Sequence, residues 1–326
     1  MGRYLVTGAA GFIAARVVEL LLLDGHEVVG VDNMNDAYDV SMKEYRLEKL
    51  GEHSSFDFKR MDIGDRKAVL GLAGDLEDTQ AIFNLAARAG VRGSVANPWL
   101  YYETNLTGTL NLLELSRAVG IDKFILASTS SIYGADAPLP TPETASSSYP
   151  LQPYAASKKA AEVLCYSYHY LHGLDVTINR YFTVYGPAGR PDMSMFRFMQ
   201  WVAEERPVHV FGDGQQTRGF TYVDDIARGT ILGLKPVGYE IINLGGHEQI
   251  SMNDLIAAIS DEMGKPADCK HGPAVPADMV ANWADVTKAG KVLGWEPQVG
   301  LAQGLIRMAD WYRSEREWAA NIDTGI

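Results

Sequence analysis

Short apolar runs alternate with longer amphipathic segments along residues 1–184. The runs have the length and composition of buried parallel strands, and the segments between them repeat apolar residues at helical spacing. Strands are predicted at 4–7, 27–31, 56–60, 81–85, 124–127 and 176–182, and helices at 15–23, 66–72, 105–119 and from Tyr154 onward. This alternation predicts an α/β fold of the Rossmann type, with a doubly wound parallel sheet covered on both faces.

The pattern changes after residue 187, where short elements are separated by glycine and proline. The predicted elements are a helix over 191–205, a strand at 208–211, a turn at 212–214, a helix over 221–234, a strand at 241–244, a helix over 251–263 capped by Ser251, and a final helix over 301–318. We therefore divide the chain into a Rossmann domain, residues 1–184 with a strand near 239–244 added, and a smaller interleaved lobe, mainly residues 185–326.

A glycine turn joins the first predicted strand to the first helix, and the second strand ends in an acid. Gly8 permits a tight turn, and Gly11 lets the backbone approach a pyrophosphate at the helix N-terminus. Ala14 stands at the third small position, which mainly sets helix–strand packing. Asp32 is placed to accept hydrogen bonds from adenosine ribose hydroxyls, which favours NAD over NADP.

Other residues after the parallel strands are candidate cofactor contacts, because ligands bind at the carboxyl ends of such strands. Asp62 is placed for the adenine amino group, and it also fits the N-cap of the helix over 66–72. The remaining candidates are Phe12, Ile13, Asn33, Ile63, Leu85, Ala86, Ala87 and Asn105.

Tyr154 and Lys158 stand one turn apart on the same face of a predicted helix. A phenol titrates near pH 10, and a nearby ammonium lowers that pKa by favouring the phenolate. The pair therefore predicts a proton acceptor. The spacing alone also fits an ordinary helix with a packed tyrosine and a solvated lysine, so the assignment depends on further motifs.

Composition and charge exclude several classes of protein. The 326 residues carry a net charge of −12, and the sequence pI is about 5.0, so we expect no nucleic-acid binding, which needs a basic face. No apolar run approaches the roughly 20 residues that span a bilayer, and we predict a cytoplasmic protein without membrane contact. Cys165 and Cys269 lie far apart, which disfavours a disulfide framework, and the seven histidines show no metal-ligand spacing.

Five motifs in order along nearly the whole chain resemble the extended short-chain dehydrogenase/reductase family. They are Thr-Gly-Ala-Ala-Gly-Phe-Ile at 7–13, Asn-Leu-Ala-Ala at 84–87, Ser-Thr-Ser-Ser-Ile-Tyr-Gly at 128–134, Tyr-Ala-Ala-Ser-Lys at 154–158 and Arg-Tyr-Phe-Thr-Val-Tyr-Gly-Pro at 180–187. Within that family the chain is most similar to the nucleotide-sugar 4-epimerases. Among these it is closest to the UDP-glucuronate 4-epimerases, whose last motif continues as Gly-Arg-Pro-Asp-Met does here at 189–193.

The resemblance implies reversible conversion of UDP-glucuronate and UDP-galacturonate through a transient 4-keto sugar. Tyr154 would take the proton of the sugar 4-hydroxyl, Thr129 would hydrogen-bond the same oxygen, and Lys158 would hold the nicotinamide ribose. Hydride would leave C4 for NAD and return to the other face, so NAD would stay bound. Tyr181 would line the nicotinamide.

The residues after Thr129 separate this reaction from related ones. Similar dehydratases have Asp-Glu there and similar decarboxylases have a glutamate, whereas this chain has Ser130 and Ser131. We expect these serines and Thr183 to donate hydrogen bonds to a sugar carboxylate, although the serines also fit as caps of the loop backbone. Arg92 and Arg190 are candidates for the same carboxylate or for structural ion pairs.

Candidate UDP contacts lie in the C-terminal lobe. Arg218 resembles the arginine that clamps the diphosphate, but Gly219 follows it where the family usually has aspartate. Val275 stands where many galactose-type epimerases have a second arginine, and Asp278 keeps part of that motif. Met195, Phe196 and Phe211 are candidates for the uridine pocket.

Two alternatives to the UDP-glucuronate reaction stay open. One is 4-epimerisation of UDP-glucose and UDP-galactose or of an N-acetylated UDP-sugar. The other, of a different class, is a non-catalytic NAD-binding scaffold, which the presence of Thr129, Tyr154 and Lys158 disfavours. The resemblance also implies a homodimer through the helices at 98–118 and 152–171.

Overall fold

The strands follow the apolar runs of the sequence. The structure, a computed structural model, describes residues 1–273 and 281–325. Its strands are β1 (Arg3–Thr7), β2 (Glu27–Asp32), β3 (Phe56–Arg60), β4 (Thr79–Asn84), β5 (Lys123–Thr129), β6 (Asp175–Tyr181), β7 (Thr183–Tyr185), β8 (Val208–Phe211), β9 (Thr217–Tyr222), β10 (Tyr239–Leu244), β11 (Glu248–Ser251), β12 (Cys269–Gly272) and β13 (Ala281–Asn282).

The helices occupy the amphipathic segments between these strands. They are α1 (Phe12–Leu23), α2 (Ser41–Gly51), α3 (Arg66–Gly71), α4 (Val91–Ala96), α5 (Pro98–Tyr102), α6 (Gly108–Val119), α7 (Pro153–His172), α8 (Ser194–Ala203), α9 (Val223–Leu232), α10 (Met252–Met263), α11 (Thr287–Leu293), α12 (Leu301–Ser314) and α13 (Arg316–Ala319). A π-helical turn, Glu103–Thr107, connects α5 to α6.

The central sheet has seven parallel strands in the order β10-β6-β5-β4-β1-β2-β3. Helices cover both faces, which confirms the predicted doubly wound Rossmann-type architecture. The late strand β10 pairs with β6 along its whole length. Because all seven strands run the same way, the segments that follow β1, β2, β4 and β5 meet at one edge of the sheet, where a ligand is expected.

Two hydrophobic layers sandwich the sheet because successive side chains of a strand point to opposite faces. In β1, Leu5 packs with Leu112 and Cys165 on the face covered by α3, α6 and α7. The next residue, Val6, packs with Val17 on the face covered by α1 and α9. Both layers exclude water from the middle of the sheet and leave its carboxyl edge free to bind.

The C-terminal lobe has its own core and small sheets. Strand β9 pairs with β7, β11 and β13, and β8 pairs with β12. Helices α8, α10 and α12 pack together around the fully buried Met199, Leu255 and Tyr312. This lobe stands over the carboxyl edge of the large sheet.

Several element boundaries differ from the sequence prediction. The helix expected over 191–205 begins at Ser194, and the helix expected over 221–234 begins at Val223, because Thr221 and Tyr222 belong to β9. The final helix ends at Ser314, before α13. The cap of α3 is Asp65, which accepts from two backbone N–H groups, and not Asp62. Ser251 caps α10 as predicted.

None of the helices within residues 1–273 and 281–325 combines the length and the apolarity that crossing a bilayer requires.

Candidate active site

A cavity of about 880 Å³ lies between the carboxyl edge of the large sheet and the C-terminal lobe. Most residues predicted as cofactor contacts line it: Gly8, Gly11, Phe12, Ile13, Asp32, Asn33, Asp62, Ile63, Leu85, Ala86, Ala87, Tyr154, Lys158 and Tyr181. Predicted substrate contacts that line it are Arg92, Ser130, Ser131, Thr183, Arg190, Phe211 and Arg218, and Thr129 lies among them. One chamber therefore brings together two predicted binding regions.

The glycine turn is packed too tightly to accept a side chain. Gly8 has a φ of +72°, and a Cβ there would lie 2.8 Å from the Ala86 backbone. A Cβ on Gly11 would lie 2.8 Å from the Gly8 carbonyl oxygen. Helix α1 begins directly after Gly11, so its free N–H groups face the cavity and suit a phosphate group.

Acidic and amide side chains shape the wall beyond the glycine turn. Asp32 is buried and accepts a 2.8 Å hydrogen bond from the Met34 backbone N–H, and the Lys43 ammonium lies 3.5 Å away. Asp62 accepts from Asn33 Nδ2 at 2.7 Å and from the Gly64 backbone at 2.7 Å. These bonds hold both carboxylates at the cavity surface.

Helix α7 and strand β5 bring Thr129, Tyr154 and Lys158 together at one wall. Thr129 is the last residue of β5, and the other two occupy the first turns of α7. The Thr129 hydroxyl lies close enough to the Tyr154 phenol to lower its pKa. Tyr101 packs edge-on against the Tyr154 ring, with centroids 6.1 Å apart.

The pKa of Tyr154 is raised in the protein alone, contrary to the lowering expected from Lys158. Burial raises the pKa, and the Thr129 hydroxyl and the positive charge of Arg190 oppose this only in part. Burial lowers the pKa of Lys158 to about 8, and the negative charge of Glu162 opposes that change. The phenol therefore needs a further positive charge before it can act as a base at neutral pH.

Lys158 Nζ is buried and finds no hydrogen-bond partner within the described part of the chain. An unpaired buried ammonium is costly, so the geometry suits a ligand that offers hydroxyl or carbonyl oxygens. Ribose hydroxyls supply such acceptors. The lysine, the glycine turn and Asp32 therefore fit a dinucleotide that extends along the sheet edge.

A buried polar network supports this wall from behind. Glu162 and Arg180 form a bidentate pair at 2.7 and 2.9 Å, and each side chain is 2% exposed or less. Glu162 also accepts from Ser128 at 2.6 Å, next to Thr129. Since Glu162 is one turn after Lys158, the network joins α7 to β5 and β6. Glu162 and Arg180 are 18 residues apart on different elements, so local spacing in the sequence does not reveal this pair.

Hydroxyl side chains line the end of the cavity near Thr129. The Thr129 hydroxyl donates to Ser131 Oγ at 3.2 Å, and the Ser131 N–H donates back to Thr129 at 3.2 Å. Ser130 Oγ accepts from Asn282 Nδ2 at 3.1 Å. Thr183 reaches the same chamber from β7. The side chain that caps this turn is that of Thr129, which accepts from the Ser131 N–H, and not that of either serine.

Two candidate arginines are engaged within the protein. Arg190 forms a bidentate pair with Asp192 at 2.6 and 3.0 Å, yet its charge is close enough to lower the pKa of Tyr154. Arg92 stacks on the Phe211 ring with its guanidinium 4.5 Å from the centroid. That contact crosses the cavity from α4 to β8.

Some sequence-predicted residues lie elsewhere. Met195 and Phe196 pack in the core of the C-terminal lobe, at 3% and 1% exposure, and not at the cavity surface, because their face of α8 points away from it. Asn105 lies behind the wall, where its amide holds the Arg88 backbone at 2.9 and 3.0 Å and Ser157 Oγ at 2.9 Å. Val275 and Asp278 fall outside the described residues.

Comparison with known proteins places these motifs in a family. Residues 4–245 match the NAD dependent epimerase/dehydratase family. A UDP-glucuronate 4-epimerase of Thermodesulfobacterium geofontis is 52% identical over 323 residues, which cover 99% of each chain.

Solved structures share the architecture as well as the sequence. UDP-glucuronic acid 4-epimerase from Bacillus cereus, in complex with UDP-glucuronic acid and NAD, superposes with a TM-score of 0.90 at 37% identity and covers 96% of this chain and 99% of its own. UDP-glucose 4-epimerase from Thermotoga maritima with UDP-glucose gives a TM-score of 0.89 at 32% identity, with 96% and 99% covered. The chain therefore belongs to the NAD dependent epimerase/dehydratase family.

Proposed function

We propose that the protein catalyses the reversible 4-epimerisation of UDP-glucuronate to UDP-galacturonate with tightly bound NAD. The observation that carries this proposal is the convergence of Thr129, Tyr154 and Lys158 with Ser130 and Ser131 in one chamber. The high identity to a UDP-glucuronate 4-epimerase supports the choice of substrate.

The cofactor is held by the glycine turn, by Asp32 and by Lys158. When bound, NAD accepts and returns the hydrogen of C4 with its electron pair, and its positive ring adds the charge that Tyr154 needs. Lys158 Nζ donates to the ribose hydroxyls. Tyr181, whose hydroxyl is engaged with Thr230 at 2.7 Å, lines the wall beside the ring.

Tyr154 and Thr129 handle the proton of the reaction. As the C4–H bond breaks, the Tyr154 phenolate takes the proton of the 4-hydroxyl, and the sugar becomes a 4-ketone. Thr129 gives up its bond to Ser131 Oγ and donates its hydroxyl proton to the same oxygen. After the sugar turns its other face, Tyr154 returns the proton to the oxygen and the C4–H bond forms again, so all groups recover their starting states.

A uronate substrate demands a further property of the site. The 4-keto intermediate is a β-keto acid, and it loses carbon dioxide when the C5–C6 bond aligns with the carbonyl π system. Ser130, Ser131 and Thr183 are short donors suited to holding the carboxylate out of that alignment. None of the three is a competent base at neutral pH, which disfavours elimination or proton abstraction at C5.

The UDP group is assigned to the C-terminal lobe, mainly residues 185–326, and NAD to residues 1–184 with β10. Arg218 lines the lobe side of the cavity and provides a cation for the diphosphate, and Phe211 provides an aromatic surface for the uracil. Arg190 adds positive charge near the sugar while paired with Asp192. For uracil to reach Phe211, Arg92 has to leave the ring face that it covers.

We also propose a cytoplasmic homodimer. The outer faces of α5, α6 and α7 expose large apolar side chains, among them Trp99 at 77%, Tyr166 at 51% and Tyr170 at 77%. Monomers rarely leave such contiguous apolar faces in water. Pairing these helices between two chains would cover them.

A substrate panel tests the proposed reaction. Purified protein is incubated with UDP-glucuronate, UDP-glucose or UDP-N-acetylglucosamine, with no NAD added, and the products are identified by ¹H NMR. We expect UDP-galacturonate from the first sugar and little turnover of the neutral sugars, because the serine-lined end suits an anion.

Two other results would refute the proposal. Conversion of UDP-glucose without conversion of UDP-glucuronate would assign the neutral-sugar reaction instead. A wild-type protein that contains NAD but converts none of the sugars would be a scaffold. Tyr154→Phe serves as the matched control, because it keeps the ring and should abolish turnover while NAD stays bound.

A further inference from the structure

One polar side chain reaches the serine-lined end of the cavity from the C-terminal lobe. Asn282 lies in β13, lines the cavity, and donates from Nδ2 to Ser130 Oγ at 3.1 Å. We propose that Asn282 is a specificity-determining positioning residue, which orients the Ser130 hydroxyl as a donor toward the substrate carboxylate. This inference deepens the proposed function and rests on it.

The hydrogen-bonding capacity of a serine hydroxyl limits how Ser130 can point. It has one proton to donate and two lone pairs that accept. Because Asn282 Nδ2 occupies one lone pair of Ser130, the Ser130 proton must point away from Asn282. Ser130 is 6% exposed, and it lines the cavity. Its proton is therefore available to an acceptor in the chamber.

A carboxylate is the ligand that this arrangement favours. An ionised carboxylate only accepts hydrogen bonds, and a bond to it is stronger than one between neutral groups. The hydroxymethyl group of a neutral sugar both donates and accepts, so it gains less from a fixed donor. Orientation of Ser130 by Asn282 thus discriminates between the two kinds of sugar.

The backbone around Asn282 is held on both sides, so the side chain starts from a defined position. Strand β13 pairs with β9, with Asn282 opposite Arg218. The Trp283 carbonyl accepts from the Thr141 N–H at 2.9 Å, and the Ala284 N–H donates to the Gly246 carbonyl at 2.9 Å. Little conformational freedom remains to be lost when the substrate binds.

The position opposite Arg218 adds a second consequence. Arg218 is the candidate cation for the diphosphate, and Asn282 is next to it across the β9–β13 pair. The diphosphate and the carboxylate of a UDP-uronate would then both be contacted from one small sheet. A substrate whose diphosphate is seated brings its carboxylate to a hydroxyl that is already oriented.

The test replaces the amide by groups of similar or smaller size. Asn282→Asp keeps the shape but replaces the donor by an acceptor, so Ser130 turns its proton away from the chamber. We expect kcat/KM for UDP-glucuronate to fall about 100-fold. Asn282→Ala frees Ser130 to rotate and should cause a smaller loss, about tenfold.

Two readouts separate positioning from a general structural defect. The inhibition constant of UDP, which lacks the sugar carboxylate, should be unchanged in Asn282→Ala, which adds no charge opposite Arg218. The share of turnovers that release carbon dioxide and leave the nicotinamide reduced should rise, because a loosely held carboxylate reaches alignment with the 4-ketone. Absorbance of the reduced cofactor and NMR of the 4-keto pentose product measure that share.

A double-variant cycle tests whether Asn282 acts through Ser130. In the Ser130→Ala background, Asn282→Ala should have no further effect on kcat/KM. Losses in kcat/KM that add in the double variant would overturn the inference about Asn282. An unchanged product ratio and KM in Asn282→Asp would overturn it as well. In either case, wild-type turnover of UDP-glucuronate would still uphold the proposed function. Wild-type protein that does not convert UDP-glucuronate would refute both.

Discussion

At the scale of single residues, Lys158 shows how a functional group opposes stability. Its ammonium is buried without a partner among residues 1–273 and 281–325, and its pKa is lowered from 10.5 to about 8. The charged form is thus disfavoured in the folded protein. The same buried ammonium, with its hydrogen-bond donors unused, is ready to bind ribose hydroxyls.

The effect of Lys158 on the free energy of unfolding depends on pH, in a direction set by its lowered pKa. Between pH 8 and 10.5 the unfolded chain holds the proton and the folded chain does not, so the lysine's penalty declines as pH rises. We predict that cofactor-free Lys158→Met is more stable than cofactor-free wild type at pH 7, by at most on the order of 3 kcal/mol. Urea unfolding at several pH values measures the difference, which should shrink toward pH 10.

Lys67→Met, on the exposed surface of α3, is the matched control for loss of a lysine charge. Its stability should follow wild type across the pH range. A wild type that is the more stable protein at pH 7 would show that the buried ammonium has a partner in solution.

Single residues also mark the limit of sequence reasoning at this site. Tyr154 and Lys158 could be predicted because one helical turn joins them and local spacing is visible in the sequence. Asn282 and Ser130 are remote in sequence, and they meet only because β13 pairs with β9. Tyr101 likewise reaches Tyr154 through packing of α5 on α7.

At the scale of elements, the buried Glu162–Arg180 pair fastens α7 to the sheet. Removing Glu162 leaves the Arg180 charge buried and uncompensated, which costs about 3–5 kcal/mol, so we predict a loss of that size in the free energy of unfolding for Glu162→Gln. The loss for Arg180→Met should be smaller, because Glu162 keeps the Lys159 ammonium at 3.2 Å. The double variant should lose less than the two single losses combined, because no orphaned charge remains.

Chemical unfolding of the two single variants and the double variant measures the coupling. The exposed pair of Glu114 and Arg117, at 2.9 Å, provides the control, and Arg117→Met should cost at most about 1 kcal/mol. Losses that simply add would mean that the two buried groups do not depend on each other.

Gly219, which stands where the family usually has aspartate, lies in strand β9. A Cβ there would lie 2.2 Å from the Gly246 carbonyl oxygen, which accepts from the Ala284 N–H. We predict that Gly219→Ala lowers the free energy of unfolding by about 1–3 kcal/mol, because the segment bearing Asn282 must shift. Thermal unfolding measures this change.

Gly51→Ala is the corresponding control, because a Cβ at Gly51 meets nothing within 4 Å. That variant should be neutral or slightly stabilised. If Gly219→Ala unfolds like wild type, the close approach of β9 to Gly246 does not hold in solution.

The elements differ in how far the sequence predicts them. The inner strands β1, β2 and β5 are largely apolar runs buried on both faces, so composition identifies them, whereas the edge strand β3 alternates and is only partly buried. Strand β9 is a polar segment, and it exists because β7, β11 and β13 satisfy its backbone. The sequence pattern around Thr221 instead favoured the helix that follows. Local periodicity does not reveal strands that form only by pairing with segments far away in the sequence.

At the scale of the whole molecule, the fold places a reactive chamber between two units of different design. The large sheet supplies fixed contacts along its carboxyl edge, and the lobe supplies residues such as Arg218 and Asn282 from paired short strands. The change in sequence pattern predicts a division of the chain at residue 184, and strand β7 spans that position. The shape of the chamber depends on how the large sheet and the lobe pack together, which the sequence pattern of neither one predicts.

The exposed faces of the helices give a prediction for assembly. Val163, Tyr166 and Tyr170 recur at helical spacing on the outer face of α7, and Trp99 lies on α5. We predict that wild type elutes with twice the chain mass of 35.7 kDa and that Tyr170→Glu or Trp99→Glu shifts it to the single mass, because a charge at the contact is costly. Light scattering after size-exclusion chromatography measures both.

Leu23→Glu, which alters an exposed leucine on α1 at 63% exposure, should leave the dimer intact. A monomeric wild type would contradict the proposed dimer. A dimer that persists in both Tyr170→Glu and Trp99→Glu would show that the two chains meet at another surface.

The most direct test of the central claim follows the hydrogen on C4. In the proposed reaction that hydrogen leaves with its electron pair and returns to the same carbon, while Tyr154 handles only the hydroxyl proton. UDP-glucuronate deuterated at C4 should therefore yield UDP-galacturonate that keeps deuterium at C4, and Tyr154→Phe should yield no product. Product that carries solvent hydrogen at C4 or C5 would contradict the account.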